Sequence, residues 1–223
     1  MLGQIMEMKT KDGLKIRLAP FSKEDAQAFI TDGGMQQRSV TRYVSSPSAP
    51  TIEDEHAWYD KIRDDKRSIV WGIWDFSAGQ PKLIGNSTIF KIQEFPIRQA
   101  ISGSVISDKK YWGKGIATVA HKARTWYAFN EIGLTRIKSA VATPNIASKK
   151  ALEKSGYFLN HVERNTFFTE GKLLHQENLE CLNPAESEWK RWWNDDEPTP
   201  EAIKARETTL AALEWARENV TLL

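Results

Sequence analysis

With 223 residues, 40% of them hydrophobic, the chain is long enough for one well-cored domain with an appendage. A single Cys181 excludes an internal disulfide and reads as an inert packed thiol, and four scattered His without clustered Cys argue against structural zinc; no run approaches 18 apolar residues and Met1–Ile5 lacks the features of a secretion signal, so a soluble cytoplasmic protein is expected. The net charge of +2 divides unevenly, 26 basic against 20 acidic residues up to 183 and five against nine over 184–223, a pattern that suits a phosphorylated ligand but is too interspersed to argue for nucleic acid.

Leu14–Leu18 alternates as a first strand, and Ser22 with Asp25 starts a short helix through Ile30. Residues 31–50 carry Gly, Ser and Pro without periodicity and read as a long binding or covering loop. Thr51 and Asp54 restart a helix, with Ile52, Trp58 and Ile62 on its apolar side. Ser68–Trp74 and Lys82–Gln93 then form an antiparallel pair across the turn 76–81. Next come a strand Ala100–Ser107, a long helix 115–131 and a strand Arg136–Val141, a crossover unit whose two strands must be parallel. A short helix follows Asn145, and Glu170-Gly171 joins Phe158–Thr169 to Lys172–Leu182 as a late hairpin. A mixed sheet with helices on both faces results, with no internal repeat.

After Asn183-Pro184 the character changes: 186–193 and 200–223 have helical spacing and contain four of the nine tryptophans. Trp189, Trp192, Trp193 and Trp215 are most simply residues that dock these helices on the core, the alternative being a homodimer or partner interface.

The segment Lys110-Tyr111-Trp112-Gly113-Lys114-Gly115-Ile116-Ala117-Thr118 carries the clearest chemistry. It runs from an apolar strand into a helix. Two glycines allow close backbone approach, several amides and the helix N-terminus can face one anion, and Lys109, Lys110 and Lys114 add positive charge. The spacing fits neither the nucleotide loop G-x-x-x-x-G-K-[ST] nor the dinucleotide fingerprint G-x-G-x-x-G. An ordinary strand-to-helix turn is the plain alternative.

This segment resembles the acyl-coenzyme A loop of the GNAT acetyltransferases, a basic residue or Gln, two spacers, Gly, any residue, then Gly or Ala, with Lys110 in the first place. Downstream, Asn145-Ile146-Ala147-Ser148-Lys149-Lys150-Ala151-Leu152-Glu153-Lys154-Ser155-Gly156-Tyr157-Phe158 is similar to the family's second signature, and the wording of both motifs is closest to the ribosomal-protein N-terminal and spermidine acetyltransferase branch. The resemblance spans about residues 13–183. It implies a single α/β (α+β) domain over 1–183, mostly antiparallel with one splayed parallel strand pair, and leaves 184–223 as a helical extension that the family does not explain.

It further implies acetyl-coenzyme A as co-substrate, held by residues 110–117 (Lys110, Tyr111, Trp112, Gly113, Lys114, Gly115, Ile116, Ala117) and Asn145, with backbone groups of Ser104, Val105 and Ile106 along the pantetheine arm. The amide of Val105 or Ile106 would stabilise the oxyanion while a primary amine attacks directly. Asn145 reads equally as a helix cap. Ser148 occupies the place used near the leaving sulfur by the N-terminal-acetylating branch, whereas the family Tyr seven residues after the Asn is Leu152 here. The usual acidic bases are unmatched: Glu94, in the turn before the strand, is the candidate base, and Glu163, His161 and His175 on the hairpin are weaker ones. The expected acceptor is an amine, a protein or peptide N-terminus first and a polyamine or aminoglycoside-like molecule second; a coenzyme-binding scaffold without turnover is the competing class.

Overall fold

The computed structural model of the protein describes residues 1–31, 34–44 and 48–223. Among the described residues, nine strands form one sheet: β1 (Met6–Lys9), β2 (Lys15–Ala19), β3 (Ile69–Asp75), β4 (Lys82–Gln93), β5 (Gln99–Ile106), β6 (Arg136–Ala142), β7 (Phe158–Thr169), β8 (Lys172–Leu182) and β9 (Thr221–Leu222). Their spatial order is β7-β8-β6-β5-β4-β3-β2-β1-β9. Every neighbouring pair is antiparallel except β5 with β6. That exception follows from the connection, because α4 (Ile116–Asn130) crosses over between those two strands.

On one face lie α1 (Ala28–Thr31) and α3 (Ile52–Asp64), whose Phe29 and Ile62 pack with Phe21, Val70 and Leu83. On the other, α4, α5 (Ile146–Glu153) and α7 (Pro200–Asn219) cover the main core through Ile116, Ala120, Ala123, Leu152 and Leu213 against Ile73, Ile84, Ile89 and Ile137. Buried faces on the long helices and alternation on strands such as β1 and β6 account for this layering, while β3 is buried on both faces. No described helix is long and apolar enough to cross a membrane.

Sequence and structure part at three places. A strand, β1, precedes the expected first one: Met6 and Met8 alternate inward, a period too short to read in MEMK. The expected loop 31–50 contains a four-residue helix, α2 (Arg38–Thr41), while its residues 32–33 and 45–47 lie outside the described residues. The last helix stops at Asn219, and Thr221 and Leu222 pair with Glu7 and Met6 at the sheet edge. The two cap readings hold locally: Asp25 N–H donates to Ser22 Oγ at 3.1 Å, and Thr51 with Asp54 forms a reciprocal capping box.

The Trp-rich segment packs inward. Trp189, in α6 (Glu186–Trp193), clusters with Leu182 and Ala202, its ring 5.6 Å from Trp193 and 4.8 Å from the Arg206 guanidinium. On α7, Trp215 lies against the main core, and a side chain at Gly156 (φ +89°) would overlap Thr209. Such close approach needs glycine.

Candidate active site

β5 and β6 pair only at Gln99 with Arg136, Ala100 with Ile137 and Ile101 with Lys138. Beyond that point each keeps its outer partner, β4 as far as Ile106 and β8 as far as Ala142, while the two strands part. The vertex is polar and buried: Ser139 Oγ donates to the Ser102 carbonyl at 3.3 Å, and Tyr157 Oη lies 3.4 Å from Ser102 Oγ.

Backbone alternation decides what faces the opening. Ser107 N–H donates to the Ile84 carbonyl on β4 at 2.9 Å, so the peptide groups of 103, 105 and 107 turn to β4 and those of Ser104 and Ile106 turn to the gap. Of the two expected oxyanion donors, Val105 therefore has its amide on the β4 side and Ile106 has its amide on the opening. Gly85 permits this arrangement: a Cβ there would overlap the Val105 carbonyl oxygen and stand 3.0 Å from Ile106 Cα.

The strand then enters the basic loop. Asp108 caps a single turn, Lys109–Tyr111, by accepting from Lys110 N–H at 3.1 Å, and its carboxylate also meets Lys82 and Lys110 at 3.4 and 3.1 Å. Tyr111 is buried and donates to Asp75 Oδ2 at 2.9 Å; burial and that bond push its phenol up to about 12. Burial alone would raise the Asp75 pKa, but bonds from the Ser77 hydroxyl and amide and from Tyr111 outweigh it, and the carboxyl stays below its usual range. This anchor fixes the loop from beneath while Trp112 Nε1 closes over it, donating to the Ile106 carbonyl at 2.9 Å.

Gly113 and Gly115 both have φ +76°, and a Cβ built at either meets nothing within 4 Å. They serve the left-handed backbone and leave open space over the loop. Gly115 caps α4 without a side chain, and the first i→i−4 bond is Val119 N–H to Gly115 O at 3.1 Å. The amides of Ile116, Ala117 and Thr118 therefore point out of the helix start, beside Lys109, Lys110 and Lys114.

α5 begins just past the end of β6, so two helix starts flank the parting strands. Asn145 caps it, Oδ1 accepting from Ser148 N–H at 3.4 Å, and Ser148 sits half-buried in its first turn. Leu152 is core. Glu94 is not brought to the opening: it is exposed in the β4–β5 hairpin, next to the Gln93–Gln99 pair at the N-terminal end of β5. The gap opens toward the other end, and the extended run from Gln99 to Ile106 spans about 23 Å. Glu163 and His161 lie 3.6 Å apart on exposed β7, and His175 Nδ1 accepts from Asn165 N–H at 3.2 Å. Facing the opening from the far side, Gly34 packs so closely on Ser107 that a Cβ would lie 2.9 Å from Ser107 Cβ, and Arg38 on α2 donates to Thr169 at the hairpin tip.

The family profile for the acetyltransferase (GNAT) domain matches residues 15–157, which takes in the first motif, both parting strands and the second motif as far as Tyr157. The chain belongs to the GNAT acetyltransferase family. Among relatives, Probable N-acetyltransferase YjcK of Bacillus subtilis is 34% identical over 109 residues, 49% of this chain and 60% of YjcK; the Bacillus subtilis protein YoaA is 26% identical over 77% of this chain and 96% of its own. Two solved structures share this GNAT fold. The Vibrio cholerae spermidine N-acetyltransferase in complex with CoA and spermine covers 76% of this chain and 95% of its own at 21% identity and a TM-score of 0.65. Mycobacterium smegmatis RimJ in complex with CoA-disulfide covers 99% and 97% at 16% identity and 0.71, so that likeness takes in residues 184–223. The loop of this GNAT chain suits coenzyme A on its own geometry, with an open glycine cradle, outward amides and three lysines.

Charges inside this GNAT domain escaped the sequence reading. Arg124 of α4 is fully buried; Nη1 donates to the Gly103 carbonyl at 2.8 Å and to Ser87 Oγ at 3.2 Å, while Nε and Nη2 have no partner among the described residues. His121, one turn earlier, is buried beside it, and burial and then the Arg124 charge lower its pKa well below the ordinary value. Glu55 of α3 is buried, and desolvation followed by the neighbouring Asp54 charge raises it to about 7. The one available signal was spacing: Arg124 stands four residues from both Ala120 and Ala128 on the buried face. Cys181 is buried and its thiol is pushed up to about 12 by burial.

Proposed function

We propose that this GNAT acyltransferase moves the acetyl group of acetyl-coenzyme A directly to a primary amine, with a protein or peptide N-terminus as the acceptor class. The observation that carries the reading is the continuity of the opening: β5 and β6 part after Ile101 and Lys138, and the exposed edge of β5 leads straight into the glycine cradle. Acetyl-coenzyme A supplies a thioester carbonyl, to which the amine nitrogen bonds as the carbon–sulfur bond breaks. The chain's residues do the rest by position. The amides of residues 113–118 with Lys109, Lys110 and Lys114 bind the phosphates, and one gap-facing N–H of β5, that of Ser104 or of Ile106, donates to the acyl oxygen as charge develops there. Ser148, in the first turn of α5, donates a hydrogen bond to the departing thiolate, and the proton released by the attacking amine ends on that sulfur.

Of the three acids at the start of α3, Glu55 is raised toward neutrality and contributes the least anionic charge to an acceptor with several ammonium groups. An α-amine with a pKa near 8 is partly neutral at physiological pH and makes a small demand on a protein base.

Free-thiol release from acetyl-coenzyme A, measured against N-terminal peptides, polyamines and aminoglycosides, tests the reading. Turnover with the peptides, lost in Gly113→Trp, is the expected result. Polyamine turnover would move the acceptor to the second class, and coenzyme binding without thiol release from any acceptor would leave a binding protein.

A further inference from the structure

A fully buried guanidinium in no ion pair among the described residues, with Nε and Nη2 unpartnered there, is costly to keep. Its site is informative. Arg124 lies on the α4 face of the sheet at the vertex of the opening, with Ser87 on β4 and the Gly103 carbonyl on β5 as its bonded partners. Thr88 Oγ1 donates to the same carbonyl at 3.3 Å. That carbonyl and the N–H of Ser104 belong to one peptide unit and point in opposite directions, the first to β4 and the second into the gap. Hydrogen bonds in series polarise one another, most strongly when the first donor is charged and water is absent.

We infer that Arg124 is a positioning residue for acyl transfer: by holding the Gly103 carbonyl it polarises the Gly103–Ser104 peptide and strengthens the Ser104 N–H as a donor to the acyl oxygen. The role rests on the acetyl-transfer reading. Ser104 is also the better placed of the two gap-facing donors, because it is nearer the vertex, whereas Ile106 adjoins the loop that takes the phosphates and its carbonyl is already covered by Trp112. His121 remains uncharged beside Arg124, so the buried site carries a single positive charge directed at the strand.

The test compares wild type with Arg124→Met and Arg124→Lys, using steady-state thiol release and the amide spectrum of the 15N-labelled full chain. Arg124→Met should lower kcat about tenfold with KM for acetyl-coenzyme A changed less than about twofold, and should move the Ser104 amide proton upfield while the amides of Ile73 and Ile84 stay in place. Arg124→Lys, which keeps a cation and a donor, should recover most of both. A purely structural arginine would lower the folded fraction without the selective Ser104 shift. Should Arg124→Met fail to fold, Arg124→Gln, with donors but no charge, is read in the same two ways. An unmoved Ser104 amide, or kcat within about twofold of wild type, overturns the inference. Absence of thiol release by wild type with every amine defeats the acetyl-transfer reading itself, whereas wild-type turnover that survives Arg124→Met defeats only the role of Arg124.

Discussion

The two sides of the opening are built differently. On the coenzyme side, each part of the loop is fixed by something beneath it: Tyr111 bonded to Asp75, Asp108 capping its turn, two glycines at φ +76° and a helix start with free amides. On the other side, which we propose receives the acceptor, α2 and the tip of the β7–β8 hairpin meet through Arg38 and Thr169, and β7 is exposed along most of its length. A phosphate cradle must be preorganised because its ligand is the same in every turnover. An acceptor groove is free to differ, so its residues carry less shared pattern.

Filling the cradle is the strongest way to break this contrast. Gly113→Trp places a bulky side chain in space that is open and at a φ that side chains avoid, so acetyl-coenzyme A affinity by calorimetry should fall at least about 100-fold, with the melting temperature lowered only modestly. A peptide acceptor should still bind.

Gly85→Ala comes next. The new methyl meets the Val105 carbonyl and Ile106 Cα from the neighbouring strand, so the peptide that turns the Ile106 amide into the gap must shift. A loss of about 2 kcal/mol in urea unfolding is expected, together with a fall in kcat. Unchanged stability and rate would show that this close approach is not needed.

The same contrast explains what could be read in advance. Lys110–Gly115 announces itself because phosphate binding by backbone constrains residue types at fixed spacing, and Asn145–Gly156 because a helix cap and a close approach fix Asn and Gly at its two ends. The crossover 100–141 required a parallel pair, and its parting follows from the short register at 99–101. β1 was missed because four residues hold too little periodicity, and β9 because two hold none. Glu94 is a candidate base in the sequence because a sequence does not reveal which end of β5 opens; the pairing of β5 with β6 at residues 99–101 alone does. Arg124 does not stand out in the sequence because composition cannot tell a buried Arg from an exposed one; its burial and its bonds to Gly103 and Ser87 mark it out.

Glu55 sharpens the comparison from the acceptor side, since it is a buried carboxyl on α3 raised from 4.5 to about 7. The folded protein holds this proton up to about pH 7, and the unfolded chain releases it near 4.5. Stability from the neutral form is thus complete below the unfolded value and is lost as pH rises through that window. Glu55→Gln should accordingly match wild type at pH 4.5 and exceed it by about 2 kcal/mol at pH 8, measured by urea unfolding. Equal stability at both values would place the carboxyl in water.

The smallest effect tests whether the acceptor side acts as one unit. Arg38 is exposed except for its bond to the buried Thr169, a contact that ties α2 to the hairpin tip across 131 residues of sequence. One exposed side-chain bond contributes about 0.5–1 kcal/mol, so Arg38→Ala should hardly change the melting temperature. If the link shapes the groove, KM for a peptide acceptor should rise about threefold while the affinity for acetyl-coenzyme A stays constant, because among the described residues no hydrogen bond or ion pair joins residues 109–118 to Arg38 or Thr169. A matched change in both would mean that the two sides are mechanically joined, through the packing of Gly34 on Ser107 at the end of β5.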